Sequence, residues 1–74
     1  MKGGKELAEL RIGEFTSEYF ERVYYYCLKK TGSETEAAEV SQDIALGIIE
    51  QLRRGACPDS FSGWVWQIVR NIFA

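Results

Sequence analysis

The central stretch of this 74-residue chain has apolar positions at three- and four-residue steps between Ser33 and Leu52. This spacing places the apolar side chains on one stripe of a helix with 3.6 residues per turn. Ser33 and Glu36 stand in the order of a capping box, in which both side chains accept hydrogen bonds from free backbone N–H groups. The pattern therefore predicts a helix over residues 33–52. Its stripe consists of Ala37, Val40, Ile44, Ile48 and Leu52.

The preceding segment predicts a first helix that begins near Thr16 and ends at Gly32. Thr16 is a suitable N-cap, and Phe15 and Phe20 occupy the two positions of a hydrophobic staple. Gly32 supplies a left-handed stop. The core stripe of this helix would be Phe20, Val23, Tyr24, Cys27 and Leu28.

A third helix is predicted from Asp59 or Ser60 to the end of the chain, after Gly55 and Pro58 interrupt the second. Its inward stripe would be Phe61, Trp64, Val65, Ile68 and Ile72. A neighbouring, more outward face carries Trp66, Arg70 and Phe73, with Gln67 and Asn71 on the other flank. Aromatic rings beside an arginine suit the stacking of unpaired bases, and equally suit contact with a further domain. Composition leaves that choice open.

Length and composition indicate a single small folded domain, and the three predicted helices make it an all-α three-helix bundle over residues 14–74, with residues 1–13 as an arm or partial helix. The chain has 46% hydrophobic residues and no His. Cys27 and Cys57 lack metal-ligand spacing, so we expect no metal or other cofactor. Without a Gly-rich phosphate loop or a nucleophile–base pair, we expect no enzyme. No signal peptide, lipidation motif or membrane-length apolar run is present, which favours a cytoplasmic protein without membrane contact.

Negative charge is concentrated in the central helix. The net charge of −2 divides into +1 over residues 1–31, −5 over 32–52 and +2 over 53–74. Because no Lys or Arg lies between Gly32 and Leu52, the acidic face has no basic partner four residues along the helix. Leu46 projects from the same side as these acids, opposite the apolar stripe. Spacing alone favours a solvated acidic face over a docking surface for a basic partner.

Two segments carry a resemblance to a known family. The stretches VYYYCLKKTGSETEAAEVSQDIALGIIEQL and FSGWVWQIVRN resemble region 2 of bacterial RNA polymerase sigma factors, in particular the extracytoplasmic-function group. The similarity is ungapped over about 23–52 and again over 61–71. It includes Thr31 and Gly32, the acidic run at 36–43, and Phe61, Trp64, Val65, Ile68, Val69, Arg70 and Asn71.

The resemblance implies a transcription initiation factor domain with two partners. Its second helix would dock on the clamp coiled coil of the RNA polymerase largest subunit, through Glu39, Gln42, Asp43 and Leu46, which replaces the solvated interpretation of that face. Its third helix and preceding loop would recognise and melt the minus-ten promoter element on the non-template strand. The corresponding positions are Asp59, Ser60, Trp66, Gln67, Arg70 and Asn71. Structural alternatives are a capping role for Asp59 and Ser60, a carboxylate partner for Arg70, and a core position for Trp64.

The chain departs from the family pattern at several positions, and these departures leave an alternative open. The family often has basic residues near the positions of Ser62 and Gln67, and Ala38 and Ala45 replace an acid and a large aromatic. A sparse basic surface predicts weak binding to free DNA, which fits a protein that reaches DNA only within the polymerase and also fits a degenerate domain. The alternative is a truncated regulatory or decoy module that binds polymerase or an anti-sigma protein without promoter activity. Because no second DNA-binding domain follows Asn71, we expect a fragment of a longer protein or a partial paralogue.

Overall fold

The computed structural model describes the backbone of residues 2–74 and the side chains of residues 6–74. Its elements are α1 (Lys2–Glu14), a π-helical turn (Phe15–Tyr19), α2 (Phe20–Thr31), α3 (Glu34–Arg53) and α4 (Phe61–Ile72). Residues 2–74 contain no strand. This confirms the predicted all-α bundle of three helices, in which α1, the π-helical turn and α2 together make up the first helix. Met1, part of the predicted arm, lies outside the described residues, and the division into 1–13 and 14–74 stays a prediction.

The predicted helix start at Thr16 is wrong, because α1, the π-helical turn and α2 form one continuous helix. The Thr16 hydroxyl donates to the carbonyl oxygen of Ile12, and the Ser17 hydroxyl donates to that of Gly13 at 2.9 Å. Such bonds to the preceding turn are typical of Ser and Thr inside a helix. The continuous helix has 30 residues, about 45 Å at 1.5 Å per residue. It accounts for the 42 Å long axis of the molecule.

The π-helical turn directs aromatic side chains into the bundle. Phe15 is fully buried, and the Tyr19 ring meets the Phe61 ring of α4 edge-on at a centroid distance of 5.4 Å. The predicted staple residues Phe15 and Phe20 do contact each other, at 6.4 Å between centroids. They do so from within a helix, since the extra residue of a π-helical turn shifts the side chains that follow it.

A tight connection joins α2 to α3. Gly32 has a φ of 71°, and its N–H donates to the carbonyl oxygen of Leu28 at 2.8 Å, as predicted for the helix stop. Ser33 Oγ accepts from the N–H of Glu36 at 3.3 Å. The capping box also predicted a bond from the Ser33 N–H to the Glu36 side chain. The Ser33 N–H instead donates to Thr31 Oγ1. This cap fixes the start of α3 and therefore the direction of its faces.

The core confirms most of the predicted stripes and corrects two of them. In α3 Ser41 is buried in place of the predicted Val40, which is half-buried. The Ser41 hydroxyl donates to the Ala38 carbonyl oxygen at 3.2 Å, so this buried hydroxyl has a hydrogen-bond partner within its own helix. In α4 Val69 is fully buried, whereas Ile72 is 55% exposed at the helix end. The buried apolar residues are Phe15, Val23, Cys27, Ala37, Ile44, Ile48, Leu52, Phe61, Val65 and Val69.

Candidate functional site

The outer face of α3 presents all four residues predicted to bind polymerase. Glu39, Gln42, Asp43 and Leu46 are exposed, and Leu46 has 62% of its surface accessible. At about 100° per residue, Leu46 lies about 160° from buried Ile48, and the three polar residues lie within about 60° of Leu46. One helix therefore buries an aliphatic stripe and offers solvent a leucine surrounded by polar and acidic side chains.

Two of the acids on this face form no ion pair with any of the described side chains. None of the three ion pairs among residues 6–74 involves Glu39 or Asp43. The expectation that the whole acidic face lacks a partner is wrong for Glu50, whose carboxylate contacts the Arg54 guanidinium at 3.2 Å. This contact forms because α3 extends beyond Leu52 and places Arg54 one turn after Glu50. Glu39 and Asp43 consequently leave two uncompensated charges within about two turns of Leu46.

The loop before α4 ends in a helix cap. Ser60 Oγ accepts from the N–H of Gly63 at 3.1 Å, so Ser60 is the N-cap of α4, and Asp59 is exposed beside it. On the other side of the loop, the Arg11 guanidinium lies 4.9 Å from the centroid of the Phe61 ring. Helix α1 thus contacts the first residue of α4 and helps to fix the direction in which the loop enters the helix.

Three of the predicted DNA-contacting residues lie together on the outer side of α4. Gln67, Arg70 and Asn71 are all exposed, and Gln67 Nε2 donates to Asn71 Oδ1 at 3.0 Å. Among residues 6–74 Arg70 forms no ion pair, so its guanidinium remains available to an external anion. Asp59 and Ser60 lie at the other end of α4, about 15 Å away along its axis. The structure therefore separates the predicted site into a loop end and a helix face.

Trp66 does not lie on the same face as Gln67, and its surroundings differ from the sequence-based expectation. Its indole is half-buried, and its centroid lies 5.8 Å from that of the Tyr26 ring of α2. Phe73 also packs against Tyr26, at 5.9 Å. The face described from the sequence as more outward is thus partly covered by α2. Trp64 is half-buried beside Phe61, which agrees with its predicted packing role.

Helix α2 carries a basic and aromatic surface that was not predicted from the sequence. Arg22, Tyr25 and Lys29 are exposed and follow one another at steps of three and four residues. This is the spacing of one helix face, so periodicity applied to charged and aromatic residues together would have found it.

Other chemistry within the described residues is sparse. No group of three or more His, Cys, Asp or Glu side chains there could hold a metal ion. Burial in the core raises the pKa of the Cys27 thiol, whereas Cys57 is exposed in the loop. None of the helices within residues 2–74 combines the length and the apolar character needed to cross a membrane.

Comparison with known proteins assigns the chain to a family. The model of the family described as Sigma-70 region 2 matches residues 15–74. This range includes the π-helical turn, α2, α3, the loop and α4, so the chain belongs to the sigma-70 region 2 family. Domains of this family act in transcription initiation, where they bind RNA polymerase and promoter DNA, and they are not enzymes. No curated protein and no solved structure shows significant similarity to the chain.

Proposed function

We propose that α3 docks on the clamp coiled coil of the RNA polymerase largest subunit through Glu39, Gln42, Asp43 and Leu46. The observation that carries this proposal is the exposure of Leu46 among carboxylates on a helix whose opposite side is fully packed. An exposed apolar residue supplies contact area when it is covered, and surrounding acids select a basic partner. Glu39 and Asp43 form no ion pair within residues 6–74, so docking would not first have to break one.

Binding of the 74-residue chain to a purified clamp coiled-coil fragment tests this proposal. We expect Asp43→Lys to weaken binding by about tenfold or more, which corresponds to about 1.4 kcal/mol. Glu21→Lys is the matched control, because it makes the same charge change on an exposed residue of α2. Equal binding by the two variants would contradict docking through α3. Leu46→Ala should weaken binding without any change in charge.

The second part of the proposal concerns promoter DNA. Gln67, Arg70 and Asn71 would contact the non-template strand of the minus-ten element, and Asp59 and Ser60 would border a base that has left the stack. Exposed amide groups can form hydrogen bonds with base edges, and an arginine without an internal partner can contact a phosphate. Trp66 would contribute only the edge of its ring that Tyr26 leaves accessible.

Selection from a randomised pool of single-stranded oligonucleotides, with the chain bound to polymerase, tests DNA recognition. We expect enrichment of a short motif, and we expect Gln67→Ala/Asn71→Ala to abolish the enrichment while polymerase binding persists. Gln51→Ala is a control on an exposed amide of α3.

A decoy module that binds polymerase without reading DNA is the second candidate. It is favoured by one observation: Arg70 is the only basic residue within α4, so few phosphates could be neutralised there. Polymerase binding without motif enrichment would support the decoy. Binding to an anti-sigma protein is part of the same alternative, and membership of the extracytoplasmic-function group stays a prediction.

A further inference from the structure

The basic and aromatic surface of α2 has no acidic partner among the described side chains. Arg22, Tyr25 and Lys29 are exposed, and neither cation belongs to the three ion pairs among residues 6–74. Glu18 lies one turn before Arg22 and forms no ion pair with it. Together with Trp66 of α4, the three exposed residues line an open groove whose lining contains no carboxylate. This surface therefore offers two cations and an accessible ring to a partner from outside the chain.

The outer face of α3 carries the opposite charge at the same spacing. The cations Arg22 and Lys29 are seven residues apart on α2. On α3 Glu36 and Asp43 are also seven residues apart, and Glu39 lies between them. Seven residues are nearly two turns, so each charged pair spans about 10 Å along its helix axis. All three acids are exposed, and none forms an ion pair among residues 6–74.

These two surfaces cannot meet within one chain. At about 100° per residue, Tyr25 lies about 160° from Val23 and Cys27, which α2 buries in the core. Leu46 lies equally far from buried Ile48 on α3. Because both helices bury their opposite sides in the same bundle, their exposed sides face away from each other. Tyr25 and Leu46, which are 58% and 62% exposed, would be covered only by a second molecule.

We propose that the basic and aromatic surface of α2 binds the outer face of α3 in a second copy of the chain. Charge complementarity argues for this occupant, since residues 32–52 contain five acids and no base. Each copy contributes two different surfaces, so the contact is heterologous. A contact between two single helix faces buries less than the roughly 1,200 Å² of a standard interface, so the association is weak. Because exposed charges are screened beyond about 10 Å at 0.1 M salt, the association also weakens as salt is added.

This self-contact has a consequence for the docking proposed above. Glu39, Asp43 and Leu46 would be covered by the second copy, and the same side chains are proposed to contact polymerase. The chain would then have to separate before it docked. That consequence rests on the proposed function, whereas the self-contact itself does not.

Sedimentation velocity of the 74-residue chain, at concentrations up to about 1 mM, tests the self-contact. At low salt we expect the sedimentation coefficient to rise with concentration. At about 1 M salt, where the screening length is about 3 Å, we expect it to stay that of a monomer. Arg22→Glu/Lys29→Glu should abolish the rise at low salt, and so should Glu39→Lys/Asp43→Lys, because each pair of substitutions gives both surfaces the same charge. Glu36 is left in place because an acid in the first turn stabilises the start of α3.

A charge-swapped chain that combines all four substitutions gives the sharpest comparison. Its surfaces are again opposite in charge, and its net charge remains −2 because two losses and two gains of positive charge cancel. It should regain association that depends on concentration and salt.

The matched control combines Glu39→Lys/Asp43→Lys with Arg53→Glu/Arg54→Glu. It has the same net charge as the charge-swapped chain but keeps the basic surface of α2, so it should stay monomeric. Circular dichroism of each variant verifies that the helices remain.

Three results would overturn the proposal. The first is a charge-swapped chain that stays monomeric. The second is a control that associates as strongly as the charge-swapped chain, since the attraction would then be diffuse. The third is an original chain that stays monomeric at low salt. In that case, binding of poly-glutamate that depends on Arg22 and Lys29 would assign the surface to an acidic segment of another protein.

A purified clamp coiled-coil fragment separates failure of this inference from failure of the proposed function. If both are correct, excess fragment should dissociate the self-associated chain, because Asp43 and Leu46 belong to both contacts. Self-association that persists in excess fragment would retain the self-contact and reject docking through α3. Fragment binding that depends on Asp43, together with a monomeric chain, would reject the self-contact alone.

Discussion

The orientation of α4 in the bundle gives the sharpest test of the fold. The repeat of apolar residues predicts Ile72 in the core, whereas the structure buries Val69 completely and leaves Ile72 55% exposed. Val69→Ala removes two buried methyl groups, worth about 1.6 kcal/mol at about 0.8 kcal/mol per carbon. The remaining cavity raises the cost to about 2–3 kcal/mol. Ile72→Ala removes three carbons that are less than half covered, so we expect about 1 kcal/mol or less.

The difference is measurable because the whole domain has little stability. A chain of this length has a free energy of unfolding of about 4–11 kcal/mol. Since 1 kcal/mol shifts the Tm of a domain of this size by about 4–8 °C, Val69→Ala should lower the Tm by about 10–20 °C. Urea unfolding followed by circular dichroism gives the same comparison at one temperature. If Ile72→Ala were as destabilising as Val69→Ala, the orientation of α4 described above would be incorrect.

Three further predictions concern caps, glycines and thiols. Ser60→Ala should cost about 1 kcal/mol of unfolding free energy, because it removes the cap on the N–H of Gly63, and Ser60→Asp should restore most of it. Gly47→Ala should raise the free energy of unfolding in urea by about 0.5–1 kcal/mol, because no atom lies within 4 Å of the added methyl group. Gly32→Ala should lower it, because Gly32 has a φ of +71°, which an alanine rarely adopts. Burial raises the pKa of the Cys27 thiol in the folded protein above its ordinary value of 9.0. As the pH rises, the unfolded chain therefore loses the thiol proton at a lower pH than the folded protein does. The contribution of this thiol to the free energy of unfolding consequently falls above about pH 9. Plots of the free energy of unfolding against pH for the original chain and for Cys27→Ala should therefore diverge above this pH. At lower pH, iodoacetamide should label exposed Cys57 in the folded protein and should label Cys27 only after unfolding.

The candidate site was predictable to the extent that it follows from one helix. The acidic face of α3 and the outward position of Leu46 depend on the 3.6-residue repeat alone, and all four predicted residues are indeed exposed. The different exposure of Trp66 and Gln67 could not be predicted from the sequence. These neighbours on α4 have different surroundings because Tyr26 of α2 covers one and not the other. The basic and aromatic surface of α2 follows from the spacing of Arg22, Tyr25 and Lys29, whereas its position beside Trp66 depends on the packing of α2 against α4.

The sequence by itself determined the helix boundaries that depend on local bonds. Ser33, Gly32 and Ser60 act on backbone groups within four residues, so these caps form wherever the rest of the chain lies. Thr16 also matches a local start signal, yet α1 continues through it into α2. Tertiary contacts favour that continuation: Glu9 meets Arg53 of α3 at 3.5 Å, and buried Phe15 anchors the π-helical turn in the core.

Only the tertiary structure decided which residues within an apolar arc became core. A helical repeat defines an arc wider than the contact with any one neighbour, and the positions of adjacent helices select part of that arc. This selection buries Ser41 and Val69 and leaves Val40 half-buried and Ile72 exposed. Local sequence therefore determined where the helices lie along the chain, whereas packing between helices determined which of their sides remain available to polymerase and nucleic acid.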